Sequence, residues 1–225
     1  SIGDNTSIGD NYNFAVGEKN TATGNQSMAI GSDTKATGNR SFAGGVKSEA
    51  NATQSFSFGD TNIIGTGANQ AVAFGQQNTI TAGTGKFQNV ALGRYNTIDG
   101  VVNFAFGTSN TISHTDVSVV TEHGGSLAVG LSNTINSNNA SVALGRGNTI
   151  TSAAVRAAAI GESNTASARA SIALGYNNAS SGYASTAVGF QNISSAQAAF
   201  AGGYQSDATN DNAFAYGNDA QASGT

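Results

Sequence analysis

Apolar and polar positions along this chain fall into one short frame that recurs from end to end: apolar, Ala, apolar, Gly. It reads Met28-Ala29-Ile30-Gly31, Val90-Ala91-Leu92-Gly93, Leu127-Ala128-Val129-Gly130, Val142-Ala143-Leu144-Gly145 and Ile172-Ala173-Leu174-Gly175, with Thr186-Ala187-Val188-Gly189 as a variant. With the glycine as a ruler, copies end at Gly3, Gly17, Gly31, Gly45, Gly59, Gly75, Gly93, Gly107, Gly130, Gly145, Gly161, Gly175, Gly189, Gly203 and Gly217. Nine of the fourteen intervals are 14 residues, and the others are 16, 18, 23, 15 and 16. A period of 14 fits either two heptads of coiled coil or one turn of a solenoid. Glycine at a fixed place in every copy weakens a helix, whereas a solenoid uses it to change direction, so the period predicts a solenoid.

Within a copy, the residues three and one before the glycine are mostly bulky and apolar, as in Phe14 and Val16, Val90 and Leu92, Phe104 and Phe106, Val142 and Leu144, Ile172 and Leu174. The residue between them is Ala in thirteen of fourteen copies from Gly17 onward, Ser57 being the exception. Strand alternation sends these two sets to opposite faces, and both are apolar, which predicts a strand covered on both sides. Three residues after the glycine stands Asn in ten of fourteen copies, and two residues further Ala or Ile in twelve. This second segment alternates apolar with polar and reads as a half-exposed strand. Two strands and two tight turns per 14 residues make one coil of a narrow β-roll. About fifteen coils at about 4.8 Å each predict a rod on the order of 70 Å long. The central position accepts almost only Ala, as expected where two sheets nearly touch, whereas the flanking positions vary in size. The Ala and Ala/Ile series are therefore expected inside the roll. The ten flanking residues named above become the candidate subunit interface. Leaving two such side chains per coil in water would forgo roughly 1.5–3 kcal/mol each, so an obligate oligomer is expected.

The chain reads as one repeat domain over residues 1–225, with insertions at 66–71, 82–89, 113–126, 136–140 and 151–157. All five follow an Ile at the second-strand position, namely Ile64, Ile80, Ile112, Ile135 and Ile150, a larger anchor beneath an expanded loop. The longest insertion carries Val117, Val119 and Val120 beside the chain's only histidines. Together with Lys86, Phe87, Arg94 and Tyr95 it forms the candidate ligand-binding surface.

Composition narrows the function classes. Thirty Gly with no Pro, Cys or Trp and 10% charged residues describe a turn-dense chain that favours short strands over helices. The net charge is −4 and the nine basic residues are scattered, so no nucleic-acid partner is expected. Without Cys the fold owes nothing to disulfides. No apolar run approaches 18 residues and no leader is evident, and Ser1-Ile2-Gly3 already lies inside a repeat copy, so any membrane anchor is expected outside this stretch.

His114, Asp116, Glu122 and His123 are the one local group that could hold a metal, but their spacing matches no zinc motif, and no metal or other cofactor is expected. The acids stand mostly alone on turns, no G-x-S-x-G elbow occurs and both histidines share one loop, so no catalytic residue is assigned.

A strand reading S-V-A-L-G or S-I-A-L-G followed by N-x-A-x-x-G, as at Ser27 to Gly31, Ser141 to Gly145 and Ser171 to Gly175, resembles the YadA-like heads of trimeric autotransporter adhesins. The resemblance spans essentially the whole chain. It implies an all-β, left-handed parallel β-roll, three copies around one axis, at the tip of a fibre on the bacterial outer membrane. Such a head is expected to attach to host extracellular matrix, such as collagen, fibronectin or laminin, to cell-surface receptors, or to other bacteria. Two departures stand out. Asn replaces the family's small apolar residue at the first inward position of the second strand, which predicts an internal amide ladder. The copies ending at Gly45 and Gly203 read FAGG, which predicts a thinner subunit interface there. The alternative function is an ice-binding solenoid with threonine ladders, from Thr21-Ala22-Thr23, Thr79-Ile80-Thr81 and Thr149-Ile150-Thr151. Lys35, Glu49, Asp99 and Asp207 in those positions are expected to break the ladder.

Overall fold

The computed structural model describes residue 3 and residues 7–8, 12–81, 87–114, 124–137 and 139–223. Among these there is no helix; each coil contributes one five-residue strand and one strand of two or three residues. The chain divides into two compact units, residues 1–109 and 110–225. In the first, the long strands from Phe14–Glu18 to Phe104–Thr108 form one parallel sheet. The short strands from Ser7–Ile8 to Thr97–Asp99 form a second. The second unit repeats this plan, with long strands from Leu127–Leu131 to Phe214–Asn218 and short strands from Thr111–Ser113 to Gln221–Ala222. Each strand pairs with the equivalent strand one coil on, so the architecture is a parallel β-solenoid of about 14-residue coils, as the period predicts.

Register follows from the repeat: Ala lies over Ala and Gly over Gly, as in Ala143 against Ala128 and Ala159, and Gly145 against Gly130 and Gly161. The insertions do not disturb it, for Thr111 and Ile112 pair with Thr134 and Ile135 across the longest interval. The inward and outward sets are also as expected. Ala15, Ala29, Ala43, Ala91, Ala143 and Ala173 are fully buried, as are the second-strand anchors Ala22, Ala36 and Ile64, Ile80, Ile112, Ile135 and Ile150. Where Ser replaces an inward apolar residue, its hydroxyl is paired: Ser57 donates to the Asn62 carbonyl at 3.2 Å, Ser194 to the Ala199 carbonyl at 2.8 Å, and Ser180 meets Ser185 at 2.6 Å. Burying these hydroxyls unpaired would cost about 1–3 kcal/mol each.

The repeat glycine has a different role from the one its position suggests. It is not the turn. Gly145 lies inside the strand Val142–Arg146 with φ of 117°, and a Cβ placed on it would overlap the carbonyl oxygen of Gly161 in the next coil. The direction changes two residues later, at a left-handed residue that is Gly147 in this coil, with φ of 63°, and a non-glycine residue such as Lys19, Asp33, Thr61 or Tyr95 in others, with φ between 54° and 57°. A second left-handed corner precedes each long strand, at Gln26, Arg40, Gln88 and Val102 among others. An L residue there costs roughly 1–2 kcal/mol, and interchain-like coil pairing helps offset it. The amides of most such residues donate to a carbonyl of the preceding coil, as Tyr95 does to Gln76 and Val102 to Phe87, both at 2.9 Å.

The predicted amide ladder is present. Asn148 donates its side-chain amide to the Asn133 Oδ1 at 3.0 Å, to the Leu144 carbonyl at 3.0 Å and to the Gly161 carbonyl at 2.9 Å. Its own Oδ1 accepts from the Asn164 backbone amide and side chain at 3.1 and 3.2 Å. The same pattern links Asn164, Asn178 and Asn192 in the second unit, and Asn62, Asn78 and Asn96 in the first. Ser48 and Ser206 stand where the ladder lacks Asn, and each hydroxyl reaches the next coil's glycine carbonyl at 3.2 Å in place of the amide.

Candidate functional site

The long strands leave one broad apolar face. In the first unit Phe14 is 45% and Phe74 49% exposed, and Val16, Val90, Leu92, Phe104 and Phe106 are half-buried beside them. In the second, Ile172 and Leu174 are 41% and 40% exposed, and Val142 and Leu144 are half-buried. A single chain therefore covers only the Ala side of its strands. All ten candidate interface residues lie on the other side, in rows with one-coil spacing.

Stacking consolidates these rows. Phe42 and Phe56 stack with ring centroids 4.9 Å apart, Phe58 and Phe74 at 5.6 Å, and Phe200 and Phe214 at 4.9 Å. The FAGG copies do not thin the face as expected. A Cβ on Gly44 would run into the rings of Phe42 and Phe58, and one on Gly202 into Phe200 and Tyr216. Phe three residues before the repeat glycine lies across the missing side chain, so the coil exchanges two medium residues for one large ring.

A further aromatic row was not anticipated from sequence. Tyr176, Phe190 and Tyr204, each directly after a repeat glycine, stack at 5.0 and 4.9 Å and are 42%, 36% and 47% exposed. Their signal was present as three successive aromatic residues at one position of the repeat. Equally unread was the small polar corner before the long strand. Ser27, Ser41, Ser55, Asn89, Asn103 and Ser141 are buried there, with Ser41 and Ser55 donating to the Gly38 and Ala52 carbonyls.

Of the candidate ligand-binding residues, Phe87, Arg94, Tyr95 and His114 are described. Phe87 is 39% exposed and precedes the strand Val90–Arg94, whereas Arg94 ends that strand and Tyr95 follows it, so the strand, about 13 Å long, separates them. Arg94 places its guanidinium 4.5 Å above the Tyr95 ring and donates to the phenol at 3.0 Å, a cation–π pair on an exposed corner. His114, at the end of the short strand Thr111–Ser113, is only 7% exposed. Lys86, Asp116, Glu122 and His123 lie outside the described residues.

Ionisable groups elsewhere form surface pairs between coils. Lys35 meets Glu49 at 2.7 Å. The Glu49 hydrogen bond raises the Lys35 ammonium above its ordinary value. Partial burial pushes Glu49 up, but the hydrogen bonds from Lys35 and Asn51 together with the Lys35 charge outweigh it and leave its carboxyl low. Hydrogen bonds from Thr61 and Gln76 lower Asp60.

The described residues form a stacked, in-register solenoid with one broad apolar face. The sequence pattern of the YadA head domain repeat matches residues 15–34, 22–48 and 153–178. These segments are similar to YadA head repeats, which supports a YadA-like head domain, the adhesin-type domain of trimeric autotransporters. No curated protein matches the chain.

Proposed function

We propose that this chain is the non-enzymatic head of a homotrimeric bacterial surface adhesin, a left-handed roll carried on an outer-membrane anchor outside residues 1–225. Its role is attachment to host matrix proteins such as collagen, fibronectin and laminin, to cell receptors, or to neighbouring bacteria, as a contribution to virulence. The observation that carries the reading is the outward apolar face. Two mostly large-residue rows run in register through each unit, interrupted at Gly44, Ala158, Thr186 and Gly202, and are half-exposed in a single chain. A contiguous apolar face of that kind marks an interaction surface, and a second and third copy would cover it. Three identical surfaces on one head, and many heads per cell, raise effective concentration, so individually weak contacts suffice.

Two measurements test the reading. Sedimentation at micromolar concentration is expected to give a trimer, and a well-folded monomer would overturn the assembly. A binding screen of the purified protein against matrix proteins and host cells is expected to give avid, trimer-dependent attachment. Deletion of residues 113–126 in parallel assigns or excludes the longest insertion as the contact loop.

A further inference from the structure

In the second unit the apolar face of the long strands is wider than in the first. Along Ile172–Tyr176, the residues Ile172, Leu174 and Tyr176 alternate with buried Ala173 and half-buried Gly175 and are equally exposed, at 41%, 40% and 42%. Tyr176 therefore continues the two outward rows with a third, about 6.6 Å beyond Leu174 along the strand. Phe190 and Tyr204 follow it in register in the next two coils. In the first unit the same position holds Glu18, Asp60, Gln76 and Arg94 and is apolar only at Val46. Gln76 donates to Asp60 there at 3.0 Å. The corresponding polar pair of the second unit comes one residue later, where Gln205 donates to Gln191 at 3.0 Å. The polar margin of the face has moved out by one residue in the coils that carry the rings.

Ring geometry narrows what can cover this row. Phe190 lies between Tyr176 and Tyr204 and is nearly parallel to both, at 13° and 2°, so its two faces are covered and its exposed area lies at the ring edge. A sugar or base that stacks on an open aromatic face finds none at Phe190. Apolar side chains of a protein neighbour pack against ring edges without that requirement. The row is continuous with the Ile172 and Leu174 rows and lies on the same side of the strand, so whatever covers those rows reaches its border. We propose that a second copy of this chain covers Tyr176, Phe190 and Tyr204, making the subunit contact one row wider in these coils than in the first unit. The inference rests on the homotrimeric reading and adds to it contact residues beyond the ten outward candidates.

The test irradiates the full chain carrying the photo-crosslinker p-benzoylphenylalanine in place of Phe190, at micromolar concentration, and separates the products on a denaturing gel. Covalent products of two and three chains are expected. The same group in place of Ser181, an exposed residue that follows a short strand of the other sheet, is expected to give about tenfold less. The variant Tyr176→Ser with Phe190→Ser and Tyr204→Ser is expected to raise the concentration of half-dissociation, measured by sedimentation in a fixed concentration of urea, at least about tenfold. Glu18→Ser with Gln76→Ser and Arg94→Ser is expected to change it less than about twofold. Circular dichroism establishes that the ring variant is folded; if it is not, Phe190→Ser alone takes its place. A trimer that yields no inter-chain product from position 190 overturns this inference alone, as does a folded ring variant that dissociates at the unaltered concentration. A product joining position 190 to an added matrix protein in place of a second chain also overturns it. Sedimentation of the unaltered protein as a monomer overturns the homotrimeric reading as well.

Discussion

Two residue-level constraints set the coil, and they act in opposite ways. Gly145 is required because any side chain on it would occupy the space of the Gly161 carbonyl, at a φ that disfavours L residues. Gly145→Ala is expected to cost more than about 4 kcal/mol, because neither backbone can move without breaking the ladder. Chemical denaturation against the unaltered protein measures it. The left-handed corners, in contrast, are held by backbone hydrogen bonds and not by residue choice, and they carry strain that can be removed. Val102 is β-branched at φ 53° and is half-buried. Val102→Gly is expected to stabilise the fold by about 0.5–1 kcal/mol, the relief of strain exceeding the entropy added to the unfolded chain. A lower melting temperature for this variant would show that packing of the Val102 side chain outweighs its strain.

At the level of the element, the ladders between coils supply what an alanine core cannot. Asn148→Ala removes the amide contacts to Asn133 Oδ1 and to the Leu144 and Gly161 carbonyls and takes away the Oδ1 that the buried Asn164 backbone amide donates to, so a loss of about 2–4 kcal/mol is expected. Asn148→Ser is expected to lose roughly half as much, since Ser48 and Ser206 already reach the next glycine carbonyl. Urea denaturation ranks the two, and equal losses would refute the ladder's contribution. The Lys35–Glu49 pair adds a small pH dependence. Glu49 is held below the ordinary 4.5, so its contribution is complete above that value and is lost as pH falls through the lower folded value. Lys35 is raised above the ordinary 10.5, so its contribution is complete below that value and is lost as pH rises past it. Glu49→Gln is expected to flatten the acid limb while changing stability at pH 7 by less than about 1 kcal/mol, because the pair is solvent-screened. The coil, its two strands, the inward Ala and Ile series and the Asn ladder were legible in the sequence, because burial restricts residue size and that restriction repeats. The left-handed corners were not, since backbone hydrogen bonds stabilise them with almost any side chain, from Tyr95 to Ala170. The glycine was read as a turn for a related reason: a contact to the next coil leaves the same mark on sequence as a local bend. Of the candidate site, the outward rows were legible as rows, whereas Phe87 and Arg94 are close in sequence and are separated by the strand between them.

For the molecule as a whole, the inner and outer faces of the long strand make separable predictions. The interior of each unit is built from Ala, Ile, Ser and Asn, with Ile the largest apolar side chain fully buried. Little apolar area is therefore removed from water inside one chain. The larger side chains, Phe, Leu, Val and Ile, are those left half-exposed on the outside, and covering the exposed half is worth roughly 0.7–1.5 kcal/mol each. Association, on this account, supplies hydrophobic stabilisation that folding of one copy cannot. Val142 is half-buried on the outer face between Leu127 and Ala158, and Ala143 beside it is fully buried between Ala128 and Ala159. Ala143→Leu is expected to abolish the β signal in circular dichroism, since no space exists between the two sheets for the added atoms. Val142→Asp is expected to keep that signal while the proposed trimer dissociates at micromolar concentration, because three like charges would meet near its axis without water to screen them. Sedimentation of the aspartate variant as a trimer of unaltered stability would place the subunit contact on some other surface. The apolar rows would then need a different partner to cover them.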